Sequence, residues 1–170
     1  MVAEREQSQV FTGREFRDAV GAFATGVNVI TTRSDDVLYG MTANAFSSVS
    51  LDPPLVLICI GTTSEGSEVI TRNGVFAVNV LSAEQEPLSR FFASKDRPRG
   101  RDAFRGVSHY EAVTGSPLLA GAAARMDCRL AATHEAGDHF IFIGEVVALE
   151  VEADVEPLVF HGGKYALLGG

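Results

Sequence analysis

The chain is 170 residues long, enough for one domain that buries about two thirds of its unfolded surface, and 46% hydrophobic with 21% charged residues is an ordinary globular balance. A formal net charge of −8 and a pI near 4.9 exclude a general affinity for nucleic acid or anionic membrane, so an anionic ligand needs a local basic cluster. Cys59 and Cys128 sit in apolar runs and read as reduced thiols of a cytoplasmic protein, Met1 to Gln9 carries no apolar signal core, and the longest strongly apolar run, Leu55 to Ile60, is far below the roughly 20 residues of a membrane helix.

Residues 1–10 read as a flexible tail of a single domain spanning 1–170. Thr12 followed by Glu15 predicts a capping box, and Phe11 with Phe16 a hydrophobic staple. Phe16, Ala19, Val20 and Phe23 recur at helical spacing, which predicts a helix with one stripe on a core and a stop at Gly26. Val27 to Thr32 is β-branched, Ser34-Asp-Asp36 is turn chemistry and Val37 resumes an extended pattern, together a hairpin.

From Met41 to Leu51 the chain carries no charge and no proline but many hydroxyl and amide side chains. In a strand, Thr42 and Asn44 share one face and Met41, Ala43 and Ala45 the other. A neutral polar face is poor core, because each buried hydroxyl or amide needs a partner, and it is too uncharged for ordinary solvated surface. It suits a flat heteroaromatic ligand with polar edges, or else a Ser/Thr-rich edge strand turning at Asp52-Pro-Pro54.

Leu55 to Ile60 is continuously apolar, as in a strand buried on both faces. Thr62, Thr63, Ser64 and Ser67 then gather where a helix over 65–72 begins, either as a phosphate-sized cluster or as simple capping by Ser64, with Glu65 opposing an anion unless it turns away. Phe76 to Leu81 reads as a strand, and Ser82 with Gln85 as the cap of a helix running toward Ala93. Residues 94–106 form a loop in which Lys95, Arg97, Arg99, Arg101 and Arg105 crowd against the acidic balance of the chain, a composition that points to phosphate or pyrophosphate.

Ala124, Met126, Cys128, Leu130 and Ala132 alternate with polar positions, which predicts a half-buried antiparallel strand. Residues 135–138 turn, 140–151 return as a long strand, and 157–160 with 164–168 supply a last pair. Many strands with about three short helices argue for a closed or nearly closed antiparallel barrel. No G-x-G-x-x-G motif follows a strand. His134 and His139 lack a zinc spacing, so no metal is expected, and no activated nucleophile is apparent.

Phe23-Ala-Thr-Gly-Val27, Gly40-Met-Thr-Ala-Asn44, Ser48-Val-Ser-Leu-Asp-Pro-Pro54, Phe76-Ala-Val-Asn-Val-Leu81, Gly137-Asp-His139 and Gly163-Lys-Tyr165 together resemble the short-chain flavin reductases over nearly the whole chain. Those proteins are the small reductase components of two-component flavin-dependent monooxygenases. The resemblance implies a mostly β, FMN-binding split β-barrel of Greek-key type with a few short helices, assembled as a homodimer. It implies an enzyme that takes a hydride from NADH or NADPH, reduces FMN or FAD, and supplies the reduced flavin to a partner monooxygenase.

By the same resemblance, Thr42, Asn44, Ala45, Ser48, Val49 and Ser50 would contact the flavin ring and ribityl chain. Thr63, Ser64 and Lys95 would hold phosphate, with Ala93 beside them. His139 would stand at the nicotinamide as the catalytic position, with Tyr165 nearby. Ala45 stands where many relatives have Ser, and His161 at a position often aromatic. Two other readings stay open: a protein like the pyridoxamine-phosphate oxidases on a similar barrel, and a flavin-binding electron carrier or sensor that does not release reduced flavin.

Overall fold

The computed structural model describes residues 10–34 and 37–169; residues 1–9 of the tail expected over 1–10 and the turn residues Asp35 and Asp36 lie outside the described residues. Thr12 and Glu15 form the expected capping box, the Glu15 carboxylate accepting the Thr12 N–H at 2.7 Å and Thr12 Oγ1 accepting the Glu15 N–H, and the Phe11 and Phe16 rings stack at 6.0 Å. The helix they open, α1 (Gly13–Gly21), ends before Gly26, which instead belongs to the short strand β1 (Thr25–Gly26). Its apolar stripe does not meet a core. No residue of α1 is buried, and Phe16, Val20 and Phe23 just beyond it stay exposed, because the chain by itself supplies no covering layer there.

The chain continues through β2 (Asn28–Ser34), β3 (Val37–Ala43), β4 (Phe46–Leu51), β5 (Pro54–Gly61), α2 (Glu65–Asn73), β6 (Val75–Val80) and α3 (Glu86–Ala93). After a 3-10 turn at Gly100–Phe104 come β7 (His109–Tyr110), β8 (Leu118–Leu119), β9 (Ala124–Ala136), β10 (His139–Val151), β11 (Val159–His161) and β12 (Lys164–Ala166). Seven strands form one antiparallel sheet in the order β3-β2-β6-β9-β10-β5-β4, while β1, β11 and β12 form a small second sheet. Among the described residues no helix is long and apolar enough to cross a membrane.

The edges of the large sheet, β3 and β4, are consecutive in sequence and joined only by Asn44 and Ala45. Laid flat, seven strands would hold their outer edges roughly 29 Å apart, whereas the link from Ala43 to Phe46 reaches at most about 11 Å. The sheet therefore curls into a nearly closed barrel, and the Cys59 N–H fastens the link by donating to the Ala45 carbonyl at 3.2 Å. This is the expected mostly β, split-barrel architecture.

Ile30, Ile58, Ile60, Phe76, Cys128 and Phe142 fill one side of the sheet, with Ile70 of α2 closing an end. A second cluster, with Val29, Leu38, Phe92, Phe104 and Leu119 among its members, packs α3 and the 3-10 turn on the outside of β2 and β3. Two further expectations need correction. The run Leu55 to Ile60 is buried on one face only: Val56, Ile58 and Ile60 are inside, while Leu55, Leu57 and Cys59 are half-buried. The alternation expected along β9 fails at Arg125 and Asp127, which are buried because residues 107–123 fold over them. There Arg125 Nε donates to the Leu119 carbonyl at 2.6 Å and its guanidinium reaches Glu150 and Glu152, and the Asp127 carboxylate accepts the Val113 and Thr114 N–H groups, each at 2.8 Å.

Packing inside the barrel leaves no room at Gly144 of β10, where an added Cβ would lie 2.5 Å from Phe76 Cζ and 2.9 Å from Cys128 Cβ. Gly144→Ala should therefore cost about 1–3 kcal/mol by overpacking, seen as a lower urea midpoint at unchanged slope; an unaltered midpoint would show that the wall yields.

Candidate functional site

Packing α2, α3 and the basic loop against the edge strand β3 leaves a cleft of about 430 Å³, within the range of small-molecule sites. Its floor is β3 from Leu38 to Thr42, one wall is Thr63, Ser64 and Glu65 at the start of α2, and the other runs from Phe92 and Ala93 through the loop to Gly100. The close approach of α2 to β3 depends on Gly66, where a Cβ would meet Met41 Sδ at 2.4 Å and Tyr39 at 3.1 Å. Gly40 has the same role toward α3, since a Cβ there would lie 2.6 Å from the Phe92 ring.

Of the positions expected from sequence, the fold gathers Thr42, Thr63, Ser64, Ala93 and Lys95 in this cleft. Thr42 does not offer a free hydroxyl proton, because its Oγ1 donates to the Ser89 carbonyl at 2.6 Å, leaving the oxygen lone pairs as acceptors. Ser64 caps α2, its Oγ accepting the Gly66 N–H at 3.2 Å, and it also lines the cleft. Asn44, Ala45, Ser48, Val49 and Ser50 lie apart from the cleft lining, along the link and β4; all are exposed except the half-buried Ser50. Asn44 is steadied by its amide donating to Thr25 Oγ1 at 3.3 Å.

His139 begins β10 opposite Gly61, the last residue of β5. The Thr62 N–H donates to the Asp138 carbonyl at 2.9 Å, so this hairpin tip is tied to the turn that leads into α2. His139 Nδ1 lies 2.7 Å from Asp138 Oδ1, and that hydrogen bond and the imidazole charge hold the Asp138 carboxyl below its ordinary value. A carboxylate accepts from Nδ1–H, which leaves Nε2 directed elsewhere. Tyr165 stands behind the cleft wall. Its hydroxyl meets Ser89 Oγ at 2.8 Å, and the Arg90 guanidinium covers its ring, so it reaches Thr42 only through Ser89.

Among the cleft residues not singled out from sequence as individual contacts are Tyr39, Arg97 and Arg99. The two arginines were signalled only by the basic run as a whole. Arg97 donates to the Gly40 carbonyl at 2.7 Å and the Ser94 carbonyl at 2.6 Å and lies over the Tyr39 ring, which anchors the loop to β3. Arg99 pairs with Glu65 across the cleft. Among the described residues Lys95 has no ion-pair partner, so the basic end of the cleft retains positive charge that can meet an anion.

The apolar floor, the neutral hydroxyls and the basic end fit a flat polar-edged ring carrying a phosphate. Nothing in the cleft is prepared as a nucleophile. Burial, and then the Asp127 charge, push the Cys128 thiol up to about 12, and burial raises that of Cys59.

The family described as "Flavin reductase like domain" matches residues 20–169. The chain is 41% identical over 152 residues to the reductase subunit HsaB of a flavin-dependent monooxygenase from Rhodococcus jostii RHA1, covering 89% of this chain and 76% of that protein. It is 44% identical over 155 residues to the NADH-dependent FMN reductase AsuE2 of Streptomyces nodosus subsp. asukaensis, covering 91% and 84%. Among solved structures it resembles the Streptomyces globisporus C-1027 NADH:FAD oxidoreductase SgcE6 in complex with NAD and FAD fragments, with a TM-score of 0.85, 39% identity and 92% of each chain covered.

Proposed function

Because the chain belongs to the flavin reductase like domain family, we propose that it is an NAD(P)H-dependent flavin reductase, reducing FMN or FAD and supplying the reduced flavin to a partner monooxygenase. The observation that carries this reading is a cleft with apolar and neutral polar walls, a basic end and no nucleophile. The chemistry supplied by bound nicotinamide and flavin is hydride transfer between two rings, which asks the protein for binding, orientation and exclusion of water.

In this reading Thr63, Ser64 and Lys95 hold the flavin phosphate at the start of α2. Thr42 offers an acceptor oxygen to the ring edge, and Asn44, Ala45, Ser48, Val49 and Ser50 present small polar and apolar contacts along the adjoining edge. Ala93 leaves space where a larger side chain would fill the cleft. His139, with Nδ1 committed to Asp138, turns Nε2 to the nicotinamide and positions it. Tyr165 supports Thr42 from behind through Ser89.

A homodimer accounts for the uncovered apolar surface. Phe23 is 77% exposed and Leu51 94% exposed, and Phe16 and Val20 share the open face of α1. Side chains of this kind, left bare in one copy, are what a self-complementary interface buries. A cytoplasmic location agrees with two cysteines that both remain free.

With excess free flavin, the purified protein should oxidise many equivalents of NADH or NADPH; reduction of one bound flavin and then a halt would identify an electron carrier instead. His139→Ala should raise the KM for NAD(P)H several-fold while changing flavin affinity little, and equal loss of both would remove His139 from the nicotinamide. Val20→Lys should shift the protein from dimer to monomer in sedimentation equilibrium, whereas a wild-type monomer would refute the dimer.

A further inference from the structure

We propose that Glu65 sets the rate of flavin release: its carboxylate competes with the flavin phosphate for the guanidinium of Arg99. This rests on the flavin reductase reading and extends it to a residue that nothing in that reading assigns. Glu65 opens α2 on one wall of the cleft and Arg99 projects from the loop on the other, and the two are ion-paired across it. The root of the loop is fixed, since Arg97 is hydrogen-bonded to the Gly40 and Ser94 carbonyls, so Arg99 stands only two residues from an anchored point.

A guanidinium binds carboxylate and phosphate through the same paired N–H donors. Glu65 directly follows Thr63 and Ser64, the hydroxyls assigned to the phosphate, so a phosphate there lies beside both charges. One cation then has two anionic claimants. Thr63, Ser64 and Lys95 reach the phosphate without breaking an ion pair, while binding by Arg99 requires the internal pair to open.

The pair is exposed, with side-chain exposures of 74% for Arg99 and 43% for Glu65. An exposed pair shifts an equilibrium by up to about fivefold, enough to loosen the ligand without abolishing binding. Affinity changes at one site fall mainly on dissociation. A reductase that passes its product to a separate protein gains from that loosening, and Glu65 supplies it without touching the ring.

The test is a set of binding titrations at low salt on flavin-stripped protein, with FMN, FAD and riboflavin, for wild type, Glu65→Gln, Arg99→Gln and the double variant. Glu65→Gln should tighten FMN and FAD about fivefold through slower dissociation in stopped-flow traces, and leave riboflavin, which has no phosphate, unchanged. In the Arg99→Gln background Glu65→Gln should have no effect, and Glu65→Asp should restore wild-type release. Equal tightening with and without Arg99, equal tightening of riboflavin, or no change for a wild type that binds flavin overturns the competition alone. A wild type that binds none of the three flavins overturns the flavin reductase reading as well.

Discussion

A two-residue link governs this architecture. Asn44 and Ala45 join strands at opposite edges of a seven-stranded sheet, and a chain that short cannot cross the width of a flat sheet. Closure follows, and it fills the interior with side chains from five strands and α2. With its other edge used up in the curl, β3 is left to be covered by α2, α3 and the basic loop, and the cleft is the space those three leave. Gly40 and Gly66 set how near they come, because a methyl group at either position would strike Phe92 or Met41.

Polar groups inside the fold organise a second region. Asn79 on β6 is fully buried, accepts the Leu119 N–H at 2.8 Å through its carbonyl oxygen, and donates through its amide to the Val29 carbonyl at 3.0 Å. Asp127 on the neighbouring strand accepts the N–H groups of Val113 and Thr114, and Arg125 donates to the Leu119 carbonyl. Residues 107–123 contain little regular structure, yet these side chains give their backbone the partners that a helix or sheet would have supplied. Burial of three polar side chains is the consequence, each compensated by more than one hydrogen bond or ion pair.

In the cleft most polar atoms already have a task. Thr42 is committed to Ser89, Ser64 to the cap of α2, and Arg97 to two carbonyls. Rigid walls of this kind orient a ligand without being reorganised by it, the main demand of a reaction between two bound rings. Positive charge gathers at one end of the cleft, against a net charge of −8 for the chain.

Local pattern alone carried much of this. Thr12 with Glu15 and Ser64 before α2 are interactions within a few residues, so these two helix starts were readable without any fold, whereas the stop expected at Gly26 falls at Gly21. Polar turns marked the hairpins, and the clustered basic residues after Ala93 marked a loop of which Lys95, Arg97 and Arg99 line the cleft, whereas of the uncharged run from Met41 to Leu51 only Met41 and Thr42 do. Tertiary structure decided the rest, because the deciding contacts span tens of residues. Thr42 spends its hydroxyl on Ser89, Glu65 meets Arg99, and Arg125 and Asp127 are buried by a loop whose own sequence has no periodicity. The stripe of α1 shows the same limit in reverse: periodicity identifies an apolar face, but only the assembled chain shows that none of its own layers covers it.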